Sequence, residues 1–174
     1  SLDAICGHLA SLAPLRLAED WDNVGLLVGD RKSAVTKIMT CLTVSPNVVD
    51  EAVRRQADLV VTHHPIPFKP LPKITSDSIA GSMLLKLIQA GVAVYSAHTA
   101  FDSAVEGINA MWCQRIGVHD PKPLIEMPPP QSSDARGDME AADPLLGAGR
   151  YGRLESPQSL ASVVQIAADA VSAS

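Results

Sequence analysis

At 174 residues, with 47% apolar and 19% charged side chains, the chain is sized for one packed α/β domain, or one and part of a second. A formal net charge of −5 offers no footprint for nucleic acid or an anionic membrane surface, and 3% aromatic residues leave no stacking platform for single strands. No apolar run reaches the roughly 18 to 20 residues that a membrane span requires.

The first residues place Leu2, Ile5, Leu9 and Leu12 on one helical stripe and do not read as a signal peptide. LRLAEDWDNVGLLVGD then turns to breakers (Asp22-Asn23 and Gly25) around a short apolar run. KIMTCLTVS predicts a strand, and Ser45-Pro46 supplies an N-cap and a first-turn proline for a helix over NVVDEAVRRQA. DLVVTHH predicts a short buried strand. SIAGSMLLKLIQAG predicts a helix ending on Gly91, VAVYSA a strand, and AVEGINAMWCQRIG a helix closing on Gly117. This alternation means successive βαβ units and a mainly parallel sheet flanked by helices.

Residues 121–148 hold six of the 13 prolines (Pro121, Pro123, Pro128, Pro129, Pro130 and Pro144) and read as a linker or loop between an α/β domain over 1–120 and a further segment over 149–174. In that last segment GRYGRLESPQSL predicts a short strand and the start of a helix. The chain opens inside a helical pattern without Met and closes inside another, so a longer natural protein is expected. Cys6, Cys41 and Cys113 are odd in number and form no C-x-x-C pair, which argues for a reducing compartment, with the cytoplasm as the expected location.

In a parallel sheet the residues just past the C-terminal strand ends share one edge, where ligands bind. VVTHHPIPFKPL places His63 and His64 at one such end, and VYSAHTAFD places His98 and Asp102 at the next. Adjacent side chains of a regular strand point to opposite faces. Pro65 and Pro67 stop regular pairing, so two imidazoles splayed at this terminus can each reach a different ion, with Asp102 as a bridging carboxylate. Such ligation suits zinc, iron, manganese or similar ions. One isolated histidine here is more often a capping group bonded to backbone. Two adjacent histidines with a His and an Asp at the next strand end favour metal instead. His98 reads either as a ligand or as a partner orienting one. His8 and His119 read as structural or solvent-facing and Cys113 as core; Asp22-Asn23 could line the same cleft but read more readily as Asx-turn chemistry, and Lys69 and Lys73 could attract a phosphate-bearing substrate but read more readily as a solvated loop. No P-loop, G-x-S-x-G or G-x-G-x-x-G occurs.

WDNVGLLVG at 21–29, THHPIPFKPL at 62–71, AHTAFDSAVEGIN at 97–109 and GRYGRLESPQSL at 149–160 together resemble the GTP cyclohydrolase 1 type 2 family, also called the Nif-three-like dinuclear-metal proteins. The resemblance implies a duplicated α/β architecture and a toroidal homohexamer. It also implies two divalent ions held by His63, His64 and Asp102, completed by a His and a Glu near the family's C-terminus. No histidine follows His119 in this chain, so the last two ligands are expected beyond Ser174. Glu106 stands where the family commonly has Gly, a change in a loop that removes no ligand. The expected function is a metal-dependent hydrolase of a nucleotide or phosphate ester. The alternative is a metal-binding or regulatory scaffold without catalysis, since no general base outside the ligand set stands out in the sequence.

Overall fold

Three strands of the predicted parallel sheet form where the pattern places them: β2 (Ile38–Thr43), β3 (Leu59–His64) and β4 (Ala93–Ser96), preceded in the chain by β1 (Gly25–Val28). The spatial order is β1-β4-β3-β2. The pairs β2/β3 and β3/β4 are parallel, while the short apolar run that becomes β1 pairs antiparallel with β4. The computed structural model describes residues 1–127 and 145–172; residues 128–144, the middle of the proline-rich stretch, lie outside the described residues.

The chain divides into two units, Ser1–Phe101 and Asp102–Ser174. In the first, strand periodicity of two sorts the core onto both faces of the sheet. Val60 of β3 and Val94 of β4 face one cluster, with Val49 and Ala52 of α2 (Pro46–Arg54) and Leu84 and Leu87 of α3 (Ile79–Ala90). Their neighbours Leu59, Ala93 and Tyr95 join a second cluster with Leu2 and Cys6 of α1 (Leu2–Leu12). A strand buried on both faces reads as a continuous apolar run, which is why DLVV and VAVY carry no polar alternation.

The helix ends follow the sequence chemistry. The Ser45 hydroxyl accepts from the Val48 N–H, Ser78 caps α3 by accepting from the Gly81 N–H, and Gly91 takes the left-handed conformation at φ +69° that closes α3. Gly91 and Gly117 sit at the two predicted C-terminal caps.

Asp58, just before β3, accepts from the backbone N–H groups of Thr36 and Lys37 and from the Thr36 hydroxyl, at 2.7, 2.8 and 2.8 Å. These bonds, the two from backbone first, hold its carboxyl below the usual aspartate value of 3.8. The stabilisation is therefore present above the ordinary aspartate range and is lost as pH falls through the lowered folded-state value. An Asp58→Asn variant is expected to be less stable than the wild type at neutral pH, with the gap closing in acid. Urea midpoints measured across pH check this; a gap that stays constant into acid contradicts it.

The second unit begins inside α4 (His98–Ser103), a short helix where the sequence pattern reads only a strand-end loop. A turn follows, closed by the Gly107 N–H donating to the Ala104 carbonyl. The extended Gly107 then caps α5 (Ile108–Ile116), so this helix starts later than the apolar pattern of AVEGIN suggests. Beyond α5, β5 (Val118–Lys122) pairs antiparallel with β8 (Tyr151–Leu154), and β6 (Ile125–Glu126) with β7 (Gly147–Ala148). The Arg150 guanidinium donates to the carbonyls of Ala104, Leu145, Gly147 and Gly149, tying the β7–β8 turn to the segment before α5. The chain continues into α6 (Leu160–Ser172), whose Ala170 carbonyl accepts from Arg115 at 3.0 Å. Cys113 is buried, as its helical position predicts, and His8 and His119 are exposed. Among the described residues, no helix is long and apolar enough to cross a membrane.

Candidate metal centre

β3 ends on His63 and His64, with the sheet register holding both in place. Thr43 of β2 lies opposite His64, and its hydroxyl sits 2.6 Å from His64 Nδ1. On the other side the Ser96 hydroxyl of β4 donates to the His63 carbonyl at 2.6 Å. Thr62, buried between them, donates to the carbonyls of Leu42 and His64. Three hydroxyl side chains thus satisfy backbone and imidazole groups at the strand ends, where ladder bonding runs out.

His63 and His64 do not diverge to opposite faces here. Their ring centroids lie 4.9 Å apart, and His98, from the chain just after β4, stands 5.1 Å from His63 and 5.7 Å from His64. One ligand-capable atom from each of the three residues falls within 4.8 Å of the others. With Nδ1 of His64 engaged by Thr43, Nε2 is the nitrogen left for an ion; the same holds for His98, whose Nδ1 lies 2.8 Å from Asp22 Oδ1. Neutral imidazoles whose second nitrogen rests on an oxygen are the usual form of metal-ligating histidine, so the donor set fits a divalent cation.

His98 takes φ +27°, a left-handed value uncommon for a residue with a side chain. Its surroundings hold it there. The Asp22 side chain, wholly enclosed, receives bonds from the His98 ring, the Thr99 N–H and the Thr99 hydroxyl, as well as from the Asn23 N–H. Burial alone would raise the Asp22 carboxyl; the bonds from Thr99, His98 and Asn23 outweigh it and hold the group below the ordinary aspartate value. Asn23 donates in turn to the Pro67 carbonyl at 2.6 Å, joining the WDN loop to the loop that follows the histidine pair. Trp21 and Phe68, both exposed, meet His98 edge-on at 6.3 and 6.1 Å.

Of the residues singled out in the sequence, the structure gathers His63, His64 and His98 within the first unit. Asp102 lies in α4 as the first residue of the second unit, where its carbonyl accepts from Asn109 Nδ2 at 2.9 Å. Lys69 and Lys73 are exposed. Asp22 is the residue that sequence reasoning undervalued. Its bond to Asn23 is the local turn chemistry expected, but its other partners lie 76 and 77 positions away, which no local pattern announces. In the sequence it stands only as a residue that could line the same cleft, inside WDNVGLLVG.

The chain is 47% identical over 105 residues to a GTP cyclohydrolase 1 type 2 homolog of Clostridium acetobutylicum, a match covering 60% of this chain and 39% of that protein. It is 37% identical over 134 residues to the homolog of Clostridium perfringens, covering 77% and 50% respectively. The chain thus spans half or less of the length of these curated relatives. The crystal structure of a Bacillus cereus protein related to NIF3 superposes with a TM-score of 0.68 at 31% identity, over 73% of this chain and 35% of that one. The family model for Duf34/NIF3 (NGG1p interacting factor 3) matches residues 1–174, the whole of the chain, which therefore belongs to that family.

Proposed function

We propose that this chain supplies the histidine face of a divalent-metal centre, and that the whole protein is a metal-dependent hydrolase of a nucleotide or phosphate ester. The observation that carries the reading is the meeting of three imidazole donors within 4.8 Å at adjacent strand ends. We read the centre as dinuclear: His63, His64 and Asp102 are the residues that would hold the two divalent ions. The support for Asp102 is the AHT-x-x-D motif together with the THHP motif.

Within the site, His63 and His64 bind, Thr43 orients the His64 ring, and Ser96 fixes the backbone from which His63 projects. A divalent pair held there would supply Lewis acidity and acidify water at neutral pH. The nucleotide preference is supported by the name the curated relatives carry, and it belongs to the whole protein rather than to this portion. A homohexamer in the cytoplasm completes the reading.

The test is metal content and turnover of the full-length protein against a panel of nucleotides and phosphoesters. His63→Ala is expected to weaken metal binding by at least tenfold to a hundredfold, since losing even an outer partner of a ligand costs about that much. His63→Ala and Asp102→Ala are both expected to abolish turnover. Full occupancy in His63→Ala would remove the centre from this position. Equal turnover with and without metal would sink the hydrolase, and silence at full occupancy would leave a metal-binding scaffold.

A further inference from the structure

We propose that Asp22 is the positioning residue of the metal centre, holding His98 with its Nδ1–H on the carboxylate so that Nε2 is presented as a third imidazole donor beside His63 and His64. The inference rests on the metal-binding reading and adds to it a residue from the distant WDN loop.

The two carboxylate oxygens of Asp22 receive the Asn23 N–H at 2.7 Å, the Thr99 N–H at 3.1 Å and the Thr99 hydroxyl, and the His98 ring nitrogen stands 2.8 Å away. A carboxylate that is already accepting from this many donors is ionised and offers no proton of its own. The hydrogen between Asp22 and His98 therefore belongs to Nδ1. In the neutral ring this leaves Nε2 bare, the form that binds a cation. Thr43 cannot impose the same choice on His64, because a hydroxyl donates or accepts equally well.

Geometry adds a second line. A residue with a side chain at φ +27° persists only where its surroundings over-determine it. Here one enclosed carboxylate bonds the His98 ring and the N–H of the very next residue, fixing side chain and backbone together. The ring so held stands 5.1 and 5.7 Å from the other two. A carboxylate serving only to cap a turn would need none of these distant bonds.

The test compares zinc and cobalt(II) binding by the full-length protein in Asp22→Asn, His98→Ala, the double variant, Thr99→Val and His63→Ala. Asp22→Asn is expected to weaken cobalt(II) binding about tenfold to a hundredfold and to alter its visible absorption. The double variant is expected to bind no more weakly than His98→Ala alone, because Asp22 acts through His98. Thr99→Val removes a hydroxyl bond to Asp22 but leaves the imidazole bond, and is expected to bind within about threefold of wild type. A Thr99→Val loss as large as that of Asp22→Asn would overturn the proposal by making Asp22 a loop anchor only. So would unchanged binding in both Asp22→Asn and His98→Ala while His63→Ala fails to bind, a result that leaves the metal centre standing. Full binding in His63→Ala instead removes the centre and this inference with it. Should Asp22→Asn fail to fold, nitrogen-15 NMR of the metal-free wild type decides directly. A neutral His98 protonated at Nδ1 supports the assignment, and one protonated at Nε2 overturns it.

Discussion

Leu59→Ala is expected to destabilise the protein by about 2–5 kcal/mol, the range for removing a fully buried leucine side chain. Leu59 is 0% exposed and packs with Leu2, Cys6, Ala93 and Tyr95 between the sheet and α1. It also opens β3, paired to Ile38 on one side and Ala93 on the other. Truncation leaves a cavity lined by α1, β3 and β4, elements whose backbones are held by helix and ladder hydrogen bonds, so little collapse can offset the lost contacts. A shift in the urea midpoint at unchanged slope measures the loss. A cost under about 1 kcal/mol would mean that the cluster relaxes to fill the space, contrary to this packing. Because His63 and His64 ride on the same strand, metal affinity is expected to fall with Leu59→Ala only where the folded population itself falls.

The second large effect is expected at Gly29, which follows β1 at φ +128°. A methyl group there would stand 2.7 Å from the Ala93 Cβ and 3.3 Å from Leu2 Cδ2. Two costs combine: backbone strain of about 1–3 kcal/mol, and overpacking of about 1–3 kcal/mol. Gly29→Ala is therefore expected to cost roughly 2–6 kcal/mol. The two terms separate in a double-mutant cycle. Ala93→Gly removes the methyl that clashes without touching the strain, so it should recover part of the loss, with a coupling of about 1 kcal/mol or more. Additive effects of the two substitutions would show that the close approach of β1 to β4 is not what requires glycine.

Much of the fold was legible in the sequence because its rules are local. The apolar runs DLVV and VAVY, the Ser45-Pro46 start and the Gly91 and Gly117 stops each act within a few residues, and the elements formed beside them. What was less legible also has a physical source. α4 is too short to show a helical period, and β1 reads as a turn with an apolar tail because its strand character comes from pairing with β4. Its antiparallel sense is likewise a property of the partner.

The histidine pair belongs to both categories. THHP at a strand end, followed by AHT-x-x-D at the next, was enough to pick out His63, His64, His98 and Asp102 as chemistry-bearing residues, since parallel strands deliver their C-terminal ends to one edge. The sequence alone could not assign His98 its surroundings, nor promote Asp22 above an Asx turn. Those depend on an enclosed carboxylate meeting an imidazole 76 positions away and on a strained backbone held by the same group. Periodicity and capping are written into neighbouring residues and can be read from them; the pairing of Asp22 with His98 exists only once the antiparallel pairing of β1 with β4, Gly25 opposite Ser96, has brought the WDN loop to the end of β4.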